Sequence, residues 1–202
     1  MRRLVSILLA AMVLAAVSLP AAARQRQPQQ QGYVVEDAPF ANFFSGFSSG
    51  VTSGSGPVPR TVVSLQSNYA PGTIIVDTRE RRLYLVQSNG QAIRYGIGVG
   101  RDGFRWGGVH RITAKKEWPA WTPPAQMLRR RPDLPRHMEG GPDNPLGARA
   151  MYLGSTLYRI HGSNEPETIG QAVSSGCFRM VNDDVIDLYN RVSVGATVIV
   201  KN

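Results

Sequence analysis

Thr73-Ile74-Ile75-Val76-Asp77-Thr78-Arg79-Glu80-Arg81-Arg82-Leu83-Tyr84-Leu85-Val86 reads as a β-hairpin: two runs rich in β-branched and apolar residues flank a charged turn from Asp77 to Arg81. Asn89-Gly90, a strong tight-turn signal, leads directly into a third run from Gln91 to Val99, so a β-meander follows. Further along, Thr156 to Ile160 predicts a strand whose end delivers His161, and Thr197 to Val200 predicts a short closing strand. One helix is well marked, with Asn182 as N-cap, Asp183 and Asp184 in the first turn, Val185, Leu188, Tyr189 and Val192 as its apolar positions, and Gly195 just past its end. About 130 residues are enough for one core. The expected fold is therefore mainly β: a single compact β-sandwich or barrel-like domain with one well-marked helix and a long irregular lid segment.

The lid is expected between Gly107 and Gly147, which is rich in Pro, Gly and Arg and shows little periodicity. Long irregular segments inside compact domains are usually functional. Trp106, Trp118 and Trp121 stand at its start and are expected as core beneath the loop, with a substrate-groove lining as the other reading. Arg129, Arg130, Arg131 and Arg136 make it basic, fitting either carboxylates of a substrate or a solvated face.

The N-terminus has the layout of a secretory signal peptide over residues 1–23: Arg2 and Arg3, an apolar run from Leu4 to Leu19, and the small residues Ala21-Ala22-Ala23. The expected organisation is this signal, a tether over 24–67 that is Gln-rich and then rich in Gly, Ser and Pro, and the folded domain over 68–202. Phe40, Phe43, Phe44 and Phe47 interrupt the polar character of the tether. Such a chain is expected in the periplasm or cell envelope, and at a membrane only if the N-terminal segment stays uncleaved. The net charge of +9 suits anionic wall polymers and membrane surfaces. Export and the lack of a recognisable nucleic-acid motif argue against nucleic acid as the partner.

Cys177 is the only cysteine. In an oxidising compartment structural cysteines normally come in pairs, so a lone one invites a chemical explanation. Its thiolate is a nucleophile, and His161 is the candidate proton donor and acceptor. Gly176 leaves room for substrate, and the backbone N–H groups of Gly176 and Cys177 are candidate oxyanion donors. Ser174 and Ser175 are expected to hydrogen-bond this loop within the substrate site, and Asn182 to cap the helix. His110 and His137 raise a zinc alternative with His161 and Cys177, but their spacings match no short ligand motif and a metal would quench the thiolate. Gly96-Ile97-Gly98-Val99-Gly100 lacks the helix pattern of a dinucleotide loop and reads as a strand end.

Ile160-His161-Gly162, Ile169-Gly170 and Ser174-Ser175-Gly176-Cys177-Phe178-Arg179-Met180, followed by Asn182-Asp183, resemble the catalytic signature of the L,D-transpeptidase family with its YkuD-type domain. Ser175 stands where many relatives carry a second histidine. The resemblance implies that the Gly162 carbonyl orients His161 and that Arg179 lies in the site, holding a substrate carboxylate, lowering the thiol pKa or bracing the loop. It also implies attack on the diaminopimelate to D-alanine bond of a peptidoglycan tetrapeptide stem, with no metal or organic cofactor. The resulting thioester would pass to an amine, giving a 3-3 cross-link or attaching an outer-membrane protein or lipoprotein to the wall. Water as acceptor would make the chain an L,D-carboxypeptidase or hydrolase. A wall-binding module without catalysis is the alternative of another class.

Overall fold

The computed structural model describes residues 56–202, so the signal-peptide reading, most of the tether and its phenylalanines lie outside the described residues. Strands β1 (Thr61–Ser64), β2 (Ile74–Asp77), β3 (Arg82–Val86) and β4 (Gln91–Gly96) come first. β2, β3 and β4 form the antiparallel meander, with β1 added on the far side of β4. Asp77 Oδ1 accepts the N–H groups of Arg79 and Glu80, which closes the first turn. Asn89 and Gly90 carry φ of 61° and 67° in the second, a conformation Asn and Gly adopt most readily. Thr61–Ser64, placed in the tether by composition, thus form an edge strand of the sheet.

After the short β5 (Val99–Gly100) the chain forms β6 (Gly108–Glu117), ten residues within the stretch expected to be irregular. The irregular part shrinks to residues 118–148 and carries a second, short helix, α1 (Ala125–Arg130). Then come β7 (Arg149–Leu153), β8 (Arg159–His161), β9 (Ala172–Ser174), β10 (Phe178–Arg179), helix α2 (Asn182–Arg191) and β11 (Thr197–Lys201). The expected strand from Thr156 is shorter than predicted, because Thr156 Oγ1 accepts the Tyr158 N–H and donates to the Leu153 carbonyl, making a turn there. Asn182 is the first residue of α2 rather than its cap.

Nine strands form one sheet in the order β1-β4-β3-β2-β11-β6-β7-β8-β10, and β5 pairs with β9 separately. β6 joins the halves: Gly108–Arg111 pair with β11, and after a register shift between Ile112 and Ala114 the strand continues against β7. Both halves and α2 contribute to one apolar cluster, including Ile74, Leu83, Tyr95, Ile112, Met151, Ile160, Phe178, Val185, Leu188 and Val198. The mainly β, sandwich-like expectation holds.

Behind this core a charged knot fastens α2 to the start of β1. Arg60 Nη1 lies 3.2 Å from Asp184 and 3.3 Å from Asp187, and the Tyr95 hydroxyl donates to Asp187. Burial pushes the Asp184 carboxyl up to about 6, against the pull of Arg60. A folded-state value raised above the unfolded one means that this contribution to stability is present at low pH and is lost as pH rises from about 4 to about 6. Asp184→Asn is expected to match the parent in urea unfolding near pH 4 and to exceed it by up to about 3 kcal/mol at pH 7; a variant less stable at both pH values would refute the assignment.

Candidate active site

The site is set by a two-strand register. β8 and β10 run parallel with Ile160 opposite Phe178 and His161 opposite Arg179, so Cys177 stands across from Arg159. Side chains alternate along a strand. Ile160 and Phe178 point into the core, at 0% and 1% exposure, which turns Arg159, His161, Cys177 and Arg179 together to the other face. All four line a cleft of about 440 Å³. Trp121, Met127 and Arg130 from the irregular segment, with Pro145 and Leu146, close its other side.

The cysteine loop is fastened from below. Ser174 is buried, its hydroxyl donating to the Cys177 carbonyl at 2.6 Å and accepting the Gly176 N–H at 3.1 Å. That bond occupies the Gly176 N–H, so the expectation of an oxyanion donor at Gly176 is corrected. Gly176 has φ of 109°, and a Cβ there would run into the ring of Tyr158, not into substrate space. Tyr158 stacks on Trp106 with ring centres 4.4 Å apart, and Trp106 Nε1 donates to the Gly176 carbonyl at 2.7 Å. Ser175 lines the cleft.

The His161 ring is 4% exposed and its Nδ1 lies 2.6 Å from the Gly162 carbonyl oxygen. A carbonyl only accepts, so in this contact Nδ1 carries the proton, and the Leu146 backbone carbonyl is a second acceptor beside the ring. Burial, and then the Arg179 charge, pull the imidazole down to about 3, outweighing the Gly162 carbonyl. Burial pushes the partly exposed Cys177 thiol up from its ordinary value, against Arg159 and then Arg179. The pair therefore rests as thiol and neutral imidazole. The thiol lies 3.9 Å from the Leu157 carbonyl, to which it donates, and the backbone and side chain of Arg159 also lie within hydrogen-bonding reach of it.

Arg179 donates to Glu165 at 2.8 Å, so its charge is partly compensated. Asn182 Oδ1 accepts the N–H groups of Ala148 at 2.9 Å and Ser163 at 3.3 Å, clamping the end of the irregular segment to the residue after Gly162. A Cβ on Gly162 would collide with that same oxygen. Of the tryptophans, Trp121 is buried and lines the cleft, Trp106 packs between core and cysteine loop, and Trp118 is exposed. Arg129, Arg131 and Arg136 are exposed and lie outside the cleft lining, unlike Arg130. His110 packs edge-on against Trp106, and His137 bonds Thr122 and Glu139. Sequence reasoning missed Arg159, Trp106 as a brace, and the clamp role of Asn182. The signal for Arg159 was present: Arg159-Ile160-His161 mirrors Cys177-Phe178-Arg179, polar-apolar-polar in both.

Residues 71–200 match the family described as YkuD, the L,D-transpeptidase catalytic domain, and the chain belongs to that family. Among curated proteins it is 39% identical over 134 residues to "Probable L,D-transpeptidase ErfK/SrfK" of Escherichia coli, covering 62% of this chain and 42% of that one. It is 37% identical over 134 residues to "Probable L,D-transpeptidase YbiS" of the same organism, covering 62% of this chain and 43% of the relative. The chain thus spans less than half the length of these two relatives. The solved catalytic domain of an E. faecium L,D-transpeptidase shares the fold, with a TM-score of 0.52 at 20% identity, covering 67% of this chain and all of that one.

Two outcomes follow from this geometry. Alkylation of Cys177 by iodoacetamide is expected to climb with pH through 9 and beyond, with no plateau in the neutral range; a plateau reached below pH 7 would mean that thiolate and imidazolium coexist at rest. Gly176→Ala combines a forbidding φ with the Tyr158 collision, and is expected to cost about 2 kcal/mol or more in urea unfolding.

Proposed function

We infer that this chain is a peptidoglycan L,D-transpeptidase with Cys177 as its nucleophile. The observation that carries the reading is the juxtaposition, in a member of this family, of a single partly exposed cysteine and a tautomer-fixed imidazole on one wall of a cleft of about 440 Å³. That volume suits a short peptide segment.

In this reading the Cys177 proton passes to Nε2 of His161 as Sγ attacks the carbonyl carbon of the diaminopimelate residue. The C–S bond forms, the carbonyl electrons move to oxygen, and the Cys177 N–H donates to the oxyanion. Collapse breaks the C–N bond, His161 returns its proton to the departing D-alanine amine, and a thioester remains. An acceptor amine then attacks, giving its proton to His161. The C–S bond breaks and the thiol regains the proton. The Gly162 carbonyl holds the ring in the tautomer this needs and steadies the transient imidazolium. Arg179 lies in the cleft within reach of a stem carboxylate while sharing Glu165, and Ser174 and Ser175 shape the floor. The chemistry calls for no metal or organic cofactor. The acceptor is a second diaminopimelate amine or an amine on an envelope protein. Residues 1–23 would direct export, and the chain between them and β1 would serve as a tether.

The test is mass spectrometry of products after incubation with a disaccharide-tetrapeptide. Loss of D-alanine with formation of a cross-linked dimer is expected, abolished by Cys177→Ala and reduced at least 100-fold by His161→Ala. Tripeptide without dimer would favour water or an absent protein acceptor, and an unchanged substrate would overturn the reading.

A further inference from the structure

The proposed thiolate needs a counter-charge, and His161 is poorly suited to supply it. Its ring is buried and stays neutral at rest. Among the positive groups facing the sulfur, Arg179 shares its charge with Glu165 at 2.8 Å. Arg130 reaches the cleft from the end of α1. Arg159 differs from both. It sits across from Cys177 in the β8–β10 register and lines the same cleft. Its guanidinium lies over the Tyr152 ring at 5.2 Å and Nη1 donates to the Leu157 carbonyl at 3.1 Å. Among the described residues no carboxylate lies within ion-pair distance of it. Its Nε is buried without a hydrogen-bond partner, a costly state for a charged donor.

The Leu157 carbonyl ties the two groups together, since it accepts from Arg159 Nη1 and is also a resting partner of the Cys177 thiol. A sulfur that has lost its proton no longer donates to that carbonyl and becomes an acceptor. We propose that Arg159 supplies the fixed positive charge that receives the Cys177 thiolate, with its unpartnered Nε–H as the donor that the deprotonated sulfur takes up. Arg159 then works as a positioning and electrostatic partner of the nucleophile, and Arg179 is left to the Glu165 side of the cleft. Tyr158 serves as the wall that Gly176 abuts. The direction in which Arg159 acts on the thiol agrees, because it is the leading influence opposing burial there.

The inference rests on Cys177 as the nucleophile, but its test needs no peptidoglycan. The pH profile of Cys177 alkylation by the neutral reagent iodoacetamide would be compared in the full chain and in Arg159→Gln, Arg159→Lys and the paired Glu165→Gln/Arg179→Gln variant. Arg159→Gln is expected to move the profile upward by about one pH unit, a roughly tenfold fall in rate at a fixed pH on the rising limb. Arg159→Lys should recover most of that loss, because it restores the charge whatever happens to the packing. The paired variant, which removes no net charge, should shift the profile less than Arg159→Gln. An Arg159→Gln profile that superimposes on the parent, or a Lys variant as slow as the Gln variant, would overturn the proposal. A shifted profile in a chain that turns over no stem peptide would keep this assignment and sink the transpeptidase reading instead.

Discussion

The parallel pairing of β8 with β10 is the constraint on which the rest of the structure depends. Parallel neighbours cannot be joined by a tight turn, so the chain must leave β8 after His161 and travel through residues 162–177 before returning as β10. That excursion is itself held down. β9 pairs with β5, the backbone groups of Gly98 exchange hydrogen bonds with Arg179, and Ser174 bonds both ends of the cysteine loop. Once the register is fixed, alternation does the sorting. Two apolar residues enter the core and four polar ones face the cleft, so the burial that stabilises the sheet also aims the reacting groups.

Much of this was legible because it depends on local patterns. The hairpin from Ile74 to Val86, the Asn89-Gly90 turn and the apolar stripe of α2 are short-range signals, and they were realised nearly as written. The cysteine loop was legible by resemblance. What escaped depends on distant partners. β6 alternates weakly and carries His, Arg, Thr and Lys, so its sequence looks like loop, and it becomes a strand because β11 and β7 offer ladders on its two sides. Thr61–Ser64 is a strand only because β4 has an open edge. Asn182 has the composition of a cap, but its carbonyl oxygen is taken by two N–H groups from segments 34 and 19 residues away. Gly176 was read as making room for substrate, and its neighbour proved to be Tyr158.

The bracing of the nucleophile also distributes tasks among residues that sequence proximity would misassign. Trp106 is 70 residues from Gly176, yet its side chain reaches the cysteine loop. Its indole N–H fixes the Gly176 carbonyl while its face supports Tyr158, so one side chain sets both the rotation of the peptide before Cys177 and the wall beside it. With its N–H bonded to Ser174 and its carbonyl to Trp106, Gly176 is held on both of its flanking peptides.

Burial of the reacting pair carries an electrostatic consequence. An ion pair formed at rest would have to offset the desolvation of both partners, and the imidazole is too deeply enclosed for that. Keeping both groups neutral removes the cost from the resting state, and in the proposed mechanism it moves charge separation to the moment when substrate fills the cleft. At that stage excluded water makes each fixed charge and dipole count for more. Arginine suits such a place because its guanidinium is charged at every working pH and presents several donors in a fixed fork. In the proposed mechanism, a sheet face that sets two arginines beside a neutral thiol and imidazole provides for a charge that exists only during the reaction, and the Gly162 carbonyl does the same for the transient imidazolium.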